Sequence, residues 1–176
     1  KKNMGTFTST ITESVIINGA NRGSSNTVSI AEITNVAEKV LDCPTNGEGT
    51  AITYIGNWAS VVNPNGVKYQ NYNFKDSEYI RVTNLSATVN LDVAFVSNGL
   101  DNQCGEARAG ADSCRFQLKP YQSAIMWDSQ RGKLGEATEP NFNAPLTDLS
   151  YIVVCNRSVG EGALAANVEL FVASKK

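Results

Sequence analysis

Histidine is absent from this chain of 176 residues. That removes the commonest general base, the Ser-His and Cys-His nucleophile systems, and the commonest metal ligand. Charge is sparse too: charged residues make up 18% and the net charge is -2. Both signs are scattered and no basic stripe forms, so binding to nucleic acid by charge is not expected. Apolar runs extend over only a few residues, too short for a membrane-spanning helix, and no membrane partner is expected. No CxxC pair occurs, so zinc spacing is missing. The chain therefore reads as a non-enzyme, with no catalytic residue, no metal and no cofactor expected.

What is present is β-pattern. Hydrophobic residues make up 41%, enough at this length for one core and one domain over residues 1–176. Residues 77–127 are the most legible stretch. Val89, Leu91, Val93 and Phe95 alternate with Asn90, Asp92, Ala94 and Val96, the signature of a strand with one buried face. Ile80 and Val82 precede it. Phe116 and Leu118 open the next strand, residues 120–122 turn it, and residues 124–127 return. The expected arrangement is an antiparallel meander.

Elsewhere the same period recurs. Phe7, Ile11, Val15 and Ile17 share one face of a Thr-rich strand that ends at Asn18-Gly19, a favoured turn pair. Residues 20–26 read as a loop and residues 27–30 as a short strand. Ile33, Val36, Ala37 and Val40 have helical spacing, but the all-β surroundings favour a bend at Thr34-Asn35 and a strand over 36–42. Residues 51–58 form a strand, Asn63-Pro64-Asn65-Gly66 a turn, and residues 67–74 an edge strand or aromatic loop. Tyr151 to Cys155 reads as a central strand, and Ala166, Val168, Leu170 and Val172 as the inward face of the last one. The sum is an all-β chain of nine or ten strands with little or no helix. It is an antiparallel β-sandwich, jelly-roll-like in pattern.

Four cysteines occur. Cys104 and Cys114 bracket a Gly/Ala/Asp/Ser loop, and a bridge there would stabilise the fold by roughly 3 kcal/mol through loop entropy. Cys43 and Cys155 sit at strand ends and make a second candidate bridge. Asp101, Glu106 and Asp112, with Asn102 and Gln103, gather oxygens of the kind calcium takes, yet their spacing matches no calcium loop and a solvated acidic loop is the simpler reading. Two carboxylates could also serve glycoside hydrolysis, but nothing in the chain selects a pair. Trp58, Tyr69 and Tyr72 are candidate glycan-stacking aromatics, weighed against ordinary core and edge packing. Asn84-Leu85-Ser86 and Asn156-Arg157-Ser158 fit the glycosylation acceptor pattern. The long connections 97–113 and 129–147 suit contacts with neighbours. Asp101, Glu106, Arg108 and Asp112 in the first, and Arg131, Glu136 and Phe142 in the second, are the interface candidates.

Five segments carry a family likeness: TESVIING over 12–19, residues 26–44 ending in Cys43-Pro44, YIRVTNL over 79–85, LKPYQS over 118–123, and VELFVAS over 168–174. In these the chain resembles small β-rich virion proteins of tailed phages, marine and cyanobacterial ones especially. The four cysteines depart from that family's plainer pattern. The resemblance implies a structural virion protein, a capsid decoration or cement subunit or a tail or fibre component, located on the extracellular particle. Its expected partners are itself, with a trimer favoured, and other virion proteins such as a major capsid protein. One alternative is a secreted or cell-surface filament or adhesin subunit that donates its strand over 5–17 to a neighbour. The other is a carbohydrate-binding module built on the aromatics above.

Overall fold

The described residues before Thr34 are organised by their turn chemistry. Asn18 lies at φ 52, the left-handed conformation that Asn tolerates in a tight hairpin turn. Around it a long hairpin closes: Ile17 pairs with Ala20, then Thr12 with Ser25, then Phe7 with Ile30. The computed structural model describes residues 5–12, 16–18, 20–21, 23, 25–45, 51–56, 67–69, 72, 74, 77–98, 112–127, 149–158 and 162–175. Within these the hairpin consists of β1 (Gly5–Thr12), β2 (Ile16–Ile17), β3 (Ala20–Asn21) and β4 (Ser25–Ile33). Within the stretch 20–26 expected to be a loop, residues 20–21 and 25–26 are thus strand.

Nine further strands follow: β5 (Asn35–Cys43), β6 (Ala51–Gly56), β7 (Val67–Tyr69), β8 (Ser77–Asn84), β9 (Leu91–Asn98), β10 (Asp112–Leu118), β11 (Ser123–Trp127), β12 (Tyr151–Asn156) and β13 (Ala166–Ser174). They form a five-stranded sheet in the order β10-β9-β12-β6-β7 and a four-stranded sheet in the order β11-β8-β13-β5. Every pairing is antiparallel except that of β6 with β7. The expected all-β sandwich is what forms. Thr34 is the break between β4 and β5, and its amide donates to the Ser174 carbonyl at 3.0 Å.

Alternation decides which side chains fill the space between the sheets. Leu91, Val93 and Phe95 of β9 and Ile152 and Val154 of β12 meet Ile80 and Val82 of β8 and Val168, Leu170 and Val172 of β13. The other face of the five-stranded sheet is apolar too: Tyr54, Ala94, Val96, Tyr151 and Val153 form a second buried cluster. Ala94 and Val96, on the face expected to meet water, are therefore buried, whereas Asp92 on that face is half-buried and Asn90 is exposed. β12 is central, as its unbroken apolar run requires, and all six of its residues are buried.

A third layer covers the outer face of the four-stranded sheet. Val28, Ile30 and Ile33 of β4 pack with Tyr79 and Ala173, and Phe7 and Phe171 join them. Phe7 lies 4.9 Å from the Tyr79 ring and 5.5 Å from the Phe171 ring, centroid to centroid. Ser9 Oγ and Tyr79 OH are 3.2 Å apart. Ile30 and Ile33 are three residues apart yet both face inward. Glu32 at φ 63 explains this: it forms a bulge, marked by the register shift between Gly5 and Phe7, which restores the inward parity.

Residues 77–127 are not a meander within one sheet. β8 pairs with β11 and β13, whereas β9 pairs with β10 and β12. The chain crosses between sheets after Asn84 and crosses back after Leu118. Asn84 builds the first crossing. Its Oδ1 accepts from the Ser86 amide at 3.0 Å, while its Nδ2 donates to the carbonyls of Val89 at 2.7 Å and Leu118 at 3.1 Å. Asn156 does the same after β12. Its Oδ1 accepts from the Ser158 amide at 2.9 Å, and its Nδ2 donates to Cys43 O at 3.1 Å and Leu164 O at 3.0 Å. Both side chains are buried. The two glycosylation-pattern motifs are therefore structural corners, each pinning an edge strand of the opposite sheet.

Neither expected disulfide pairing forms. Cys43 and Cys114 stand outside any disulfide, which rules out both Cys43–Cys155 and Cys104–Cys114, whereas Cys155 is disulfide-bonded. Parity gives the reason for the first. Cys43 points into the space between the sheets, and Cys155 points into the cluster on the far face of the five-stranded sheet. Cys104 lies outside the described residues. Burial pushes the Cys43 thiol from its ordinary 9.0 up to about 12, against a hydrogen bond from Thr53 that lowers it and with Asp42 raising it. At pH 8 Cys43 is expected to resist maleimide in the native protein and to react only on unfolding, as mass spectrometry of labelled peptides would read. Stability should fall as pH rises above about 9, because the unfolded thiol ionises there and the folded one does not until about 12. Cys43→Ala should flatten that slope.

Candidate interaction edge

β5 is an edge strand whose sequence was ambiguous for a physical reason. Its odd residues Leu41 and Cys43 enter the core, while Val36 and Val40 remain 52% and 55% exposed. The helix-like spacing of Ile33, Val36, Ala37 and Val40 therefore mixes one buried residue of β4 with the half-buried Ala37 and the exposed Val36 and Val40 of an open edge. Val36, Glu38, Val40 and Asp42 share the outer face by alternation.

Main-chain direction can be read from Asp42. Its amide donates to Tyr69 OH at 3.1 Å, away from β13. The same hydroxyl lies 3.4 Å from the Asp42 carbonyl oxygen, to which it donates. In an antiparallel ladder the outward residues alternate, so the amides and carbonyls of Val36, Glu38 and Val40 face the open side as well. Among the described residues no strand pairs with that side.

A groove of about 720 Å³ runs along this edge, lined by β5 together with Lys68, Tyr69 and Tyr72. Tyr69 and Tyr72 pack against the main core, and Tyr69 closes one end of the groove by holding Asp42. Tyr72 OH is buried with no hydrogen-bond partner among the described residues. These two aromatics thus line a strand edge rather than stand out as a stacking platform. Trp58, the third of the set, lies outside the described residues.

Comparison of the chain with family models, with curated proteins and with solved structures returns no match.

The remaining interface candidates fall where side chains are not described. Asp101, Glu106, Arg108, Arg131, Glu136 and Phe142 lie outside the described residues. Asp112 opens β10, but only its backbone is described. No group of three or more Cys, Asp or Glu among the described residues could hold a metal ion. On the outer face of the five-stranded sheet, Arg157 pairs with Asp92 at 2.5 Å, beside a cavity of about 230 Å³ that Arg115, Gln117 and Cys155 also line. On the four-stranded sheet Arg81 pairs with Glu169 and lies 5.3 Å from the Phe171 ring centre. Both ion pairs are partly exposed, and such pairs contribute little to stability.

Sequence reading missed the β5 edge. The signal was available: two valines, each beside or near a charged residue, in a strand whose other parity is fully apolar only at its C-terminal end.

Proposed function

We propose that this chain is a non-enzymatic structural subunit of a virion, a capsid decoration or tail-associated protein that associates with itself and with neighbouring virion proteins. The observation that supports this most is the open edge of β5. It offers unpaired main-chain groups, two exposed valines and an adjoining groove, the features by which a sheet takes up an extended segment of a neighbour. A sandwich with a rigid core and two pinned corners suits a part that bears load rather than one that turns over a substrate. The family likeness of residues 79–85 and 168–174 points the same way, since these segments are β8 and β13, the centre of the four-stranded sheet.

The donor-strand alternative has less support. β1 is engaged in its own chain, with Phe7 packed on Tyr79 and Phe171. The carbohydrate alternative rests on aromatics of which Tyr69 and Tyr72 are packed against the core.

The test is a co-sedimentation assay with purified particles. The pair Val36→Asp and Val40→Asp should weaken attachment roughly tenfold or more, because charge on an open edge opposes strand addition. Both positions are exposed, so thermal unfolding should hardly change. Unchanged attachment would remove the β5 edge from the account.

A further inference from the structure

We propose that β1 is a second edge, at which two copies of this chain pair antiparallel about a two-fold axis through Ser9. The product is a continuous four-stranded ribbon running β4, β1, β1 of the second copy and its β4. This goes beyond the subunit reading above, since it names a surface, a partner and a register.

The first observation is that the edge is unguarded. Among the described residues β1 pairs with β4 alone. Its eight residues GTFTSTIT contain no charge and no proline. Natural proteins usually blunt a free edge with charge, proline, a bulge or shortness. Apart from β5, the other edges among the described residues follow that rule. β7 has three residues and β11 five. β10 carries Asp112 and Arg115, and β4 has its bulge at Glu32. β5, the attachment edge proposed above, carries charge of both signs in Glu38, Lys39 and Asp42, whereas β1 carries none. A long uncharged edge is tolerated most readily when a partner covers it.

The second observation is self-complementarity. Residues 6–12 read Thr-Phe-Thr-Ser-Thr-Ile-Thr, a near-palindrome centred on Ser9. In an antiparallel pair related by a two-fold axis through Ser9, Thr8 faces Thr10 of the second copy, Thr6 faces Thr12, and Phe7 faces Ile11. Opposed residues must share a face, so only registers shifted by two are alternatives. Centring on Thr8 sets Ile11 against Gly5 and Phe7 against Ser9. Centring on Thr10 sets Phe7 against Glu13 and Ile11 against Ser9. Only the Ser9 register matches apolar with apolar and hydroxyl with hydroxyl throughout.

The third observation is that the ribbon already uses this chemistry. Thr10 and Thr27 hydroxyls are 3.2 Å apart, and those of Thr12 and Ser25 are 3.4 Å apart. Thr8, Thr10 and Thr12 are exposed on one face, while Phe7, Ser9 and Ile11 are half-buried on the other. Pairing would continue the hydroxyl rows across the axis and extend the inner row from Phe7 to Ile11. Thr–Thr and apolar cross-strand pairs are stabilising, and an isologous contact of this kind closes as a dimer rather than propagating.

Sedimentation velocity of three purified proteins tests this. The wild-type chain should dimerise. The double variant T8K/T10K places a lysine opposite a lysine twice across the axis, and dimerisation should weaken roughly tenfold or more. The double variant T8K/T10E places each lysine opposite a glutamate and should dimerise again. All four substitutions in the two variants lie on the exposed face, and circular dichroism should report the same fold. A wild-type monomer at the highest concentration reached, or T8K/T10K dimers as tight as wild type, overturns the proposal. T8K/T10E remaining monomeric overturns the register. If the wild-type chain associates and T8K/T10K leaves this untouched, the β1 interface fails while attachment through β5 stands, because the particle assay reads the latter separately.

Discussion

Asn84→Ala is expected to lower unfolding stability by roughly 3–5 kcal/mol, and Asn156→Ala by a similar amount. Each side chain makes three hydrogen bonds in a buried setting. Truncation at 84 leaves the carbonyls of Val89 and Leu118 and the Ser86 amide short of a partner. Removing one side of a buried pair costs the desolvation of the other, about 1–3 kcal/mol per group. Asn84→Asp is the sharper probe. It keeps the acceptor for Ser86 but loses both donors, so it should be nearly as damaging as alanine. Chemical denaturation would read these losses, and a change below about 1 kcal/mol for either alanine variant would show that the corners are not what holds the sheets together. The neighbouring turn adds no such dependence: Tyr121 sits at φ 61 but is exposed at the surface, and Tyr121→Gly should be neutral or slightly stabilising.

Gly56→Ala is the second large effect, with an expected loss of roughly 2–5 kcal/mol. Gly56 ends β6 opposite Tyr151, at φ +113. Side chains other than glycine rarely adopt that backbone angle. A Cβ there would lie 2.7 Å from Phe74 Cε2 and 2.9 Å from the Ser150 carbonyl oxygen. Phe74 is 1% exposed and belongs to the core, so it has little room to give. Adding Phe74→Leu should recover only part of the loss, because the carbonyl contact and the backbone angle both remain. Full recovery in the double variant would mean that ring crowding alone is at stake.

The strands themselves were legible where alternation was unbroken. β9, β12 and β13 could be read from their apolar parity, and the Asn18-Gly19 turn from its residue pair. The split of β4 from β5 at Thr34 could be read as well, once helix periodicity was set against an all-β chain. What the local pattern does not encode is which sheet a strand joins. The residues Asn84-Leu85-Ser86 look the same in a hairpin turn and in an arch between sheets. The difference lies in the bonds from Asn84 to Leu118, 34 positions away. Burial of Ala94 and Val96 was hidden for a like reason: small and apolar residues on a nominally outer face signal a covering layer only when that layer is known. The cysteines misled because proximity in sequence, or at strand ends, says nothing about face. Cys43 and Cys155 sit on opposite sides of one sheet. Of the candidate site residues, Tyr69 and Tyr72 were recognised as aromatics of an edge region, but their role in lining the β5 groove depends on Asp42, brought in from 27 residues earlier.

The central claim is that this sandwich is built to be joined to other chains. The most direct measurement is native mass spectrometry of the wild-type protein, paired with a count of the chain in purified particles. The account predicts a self-associated species in solution and a fixed copy number per particle. A strict monomer that is absent from particles would contradict it.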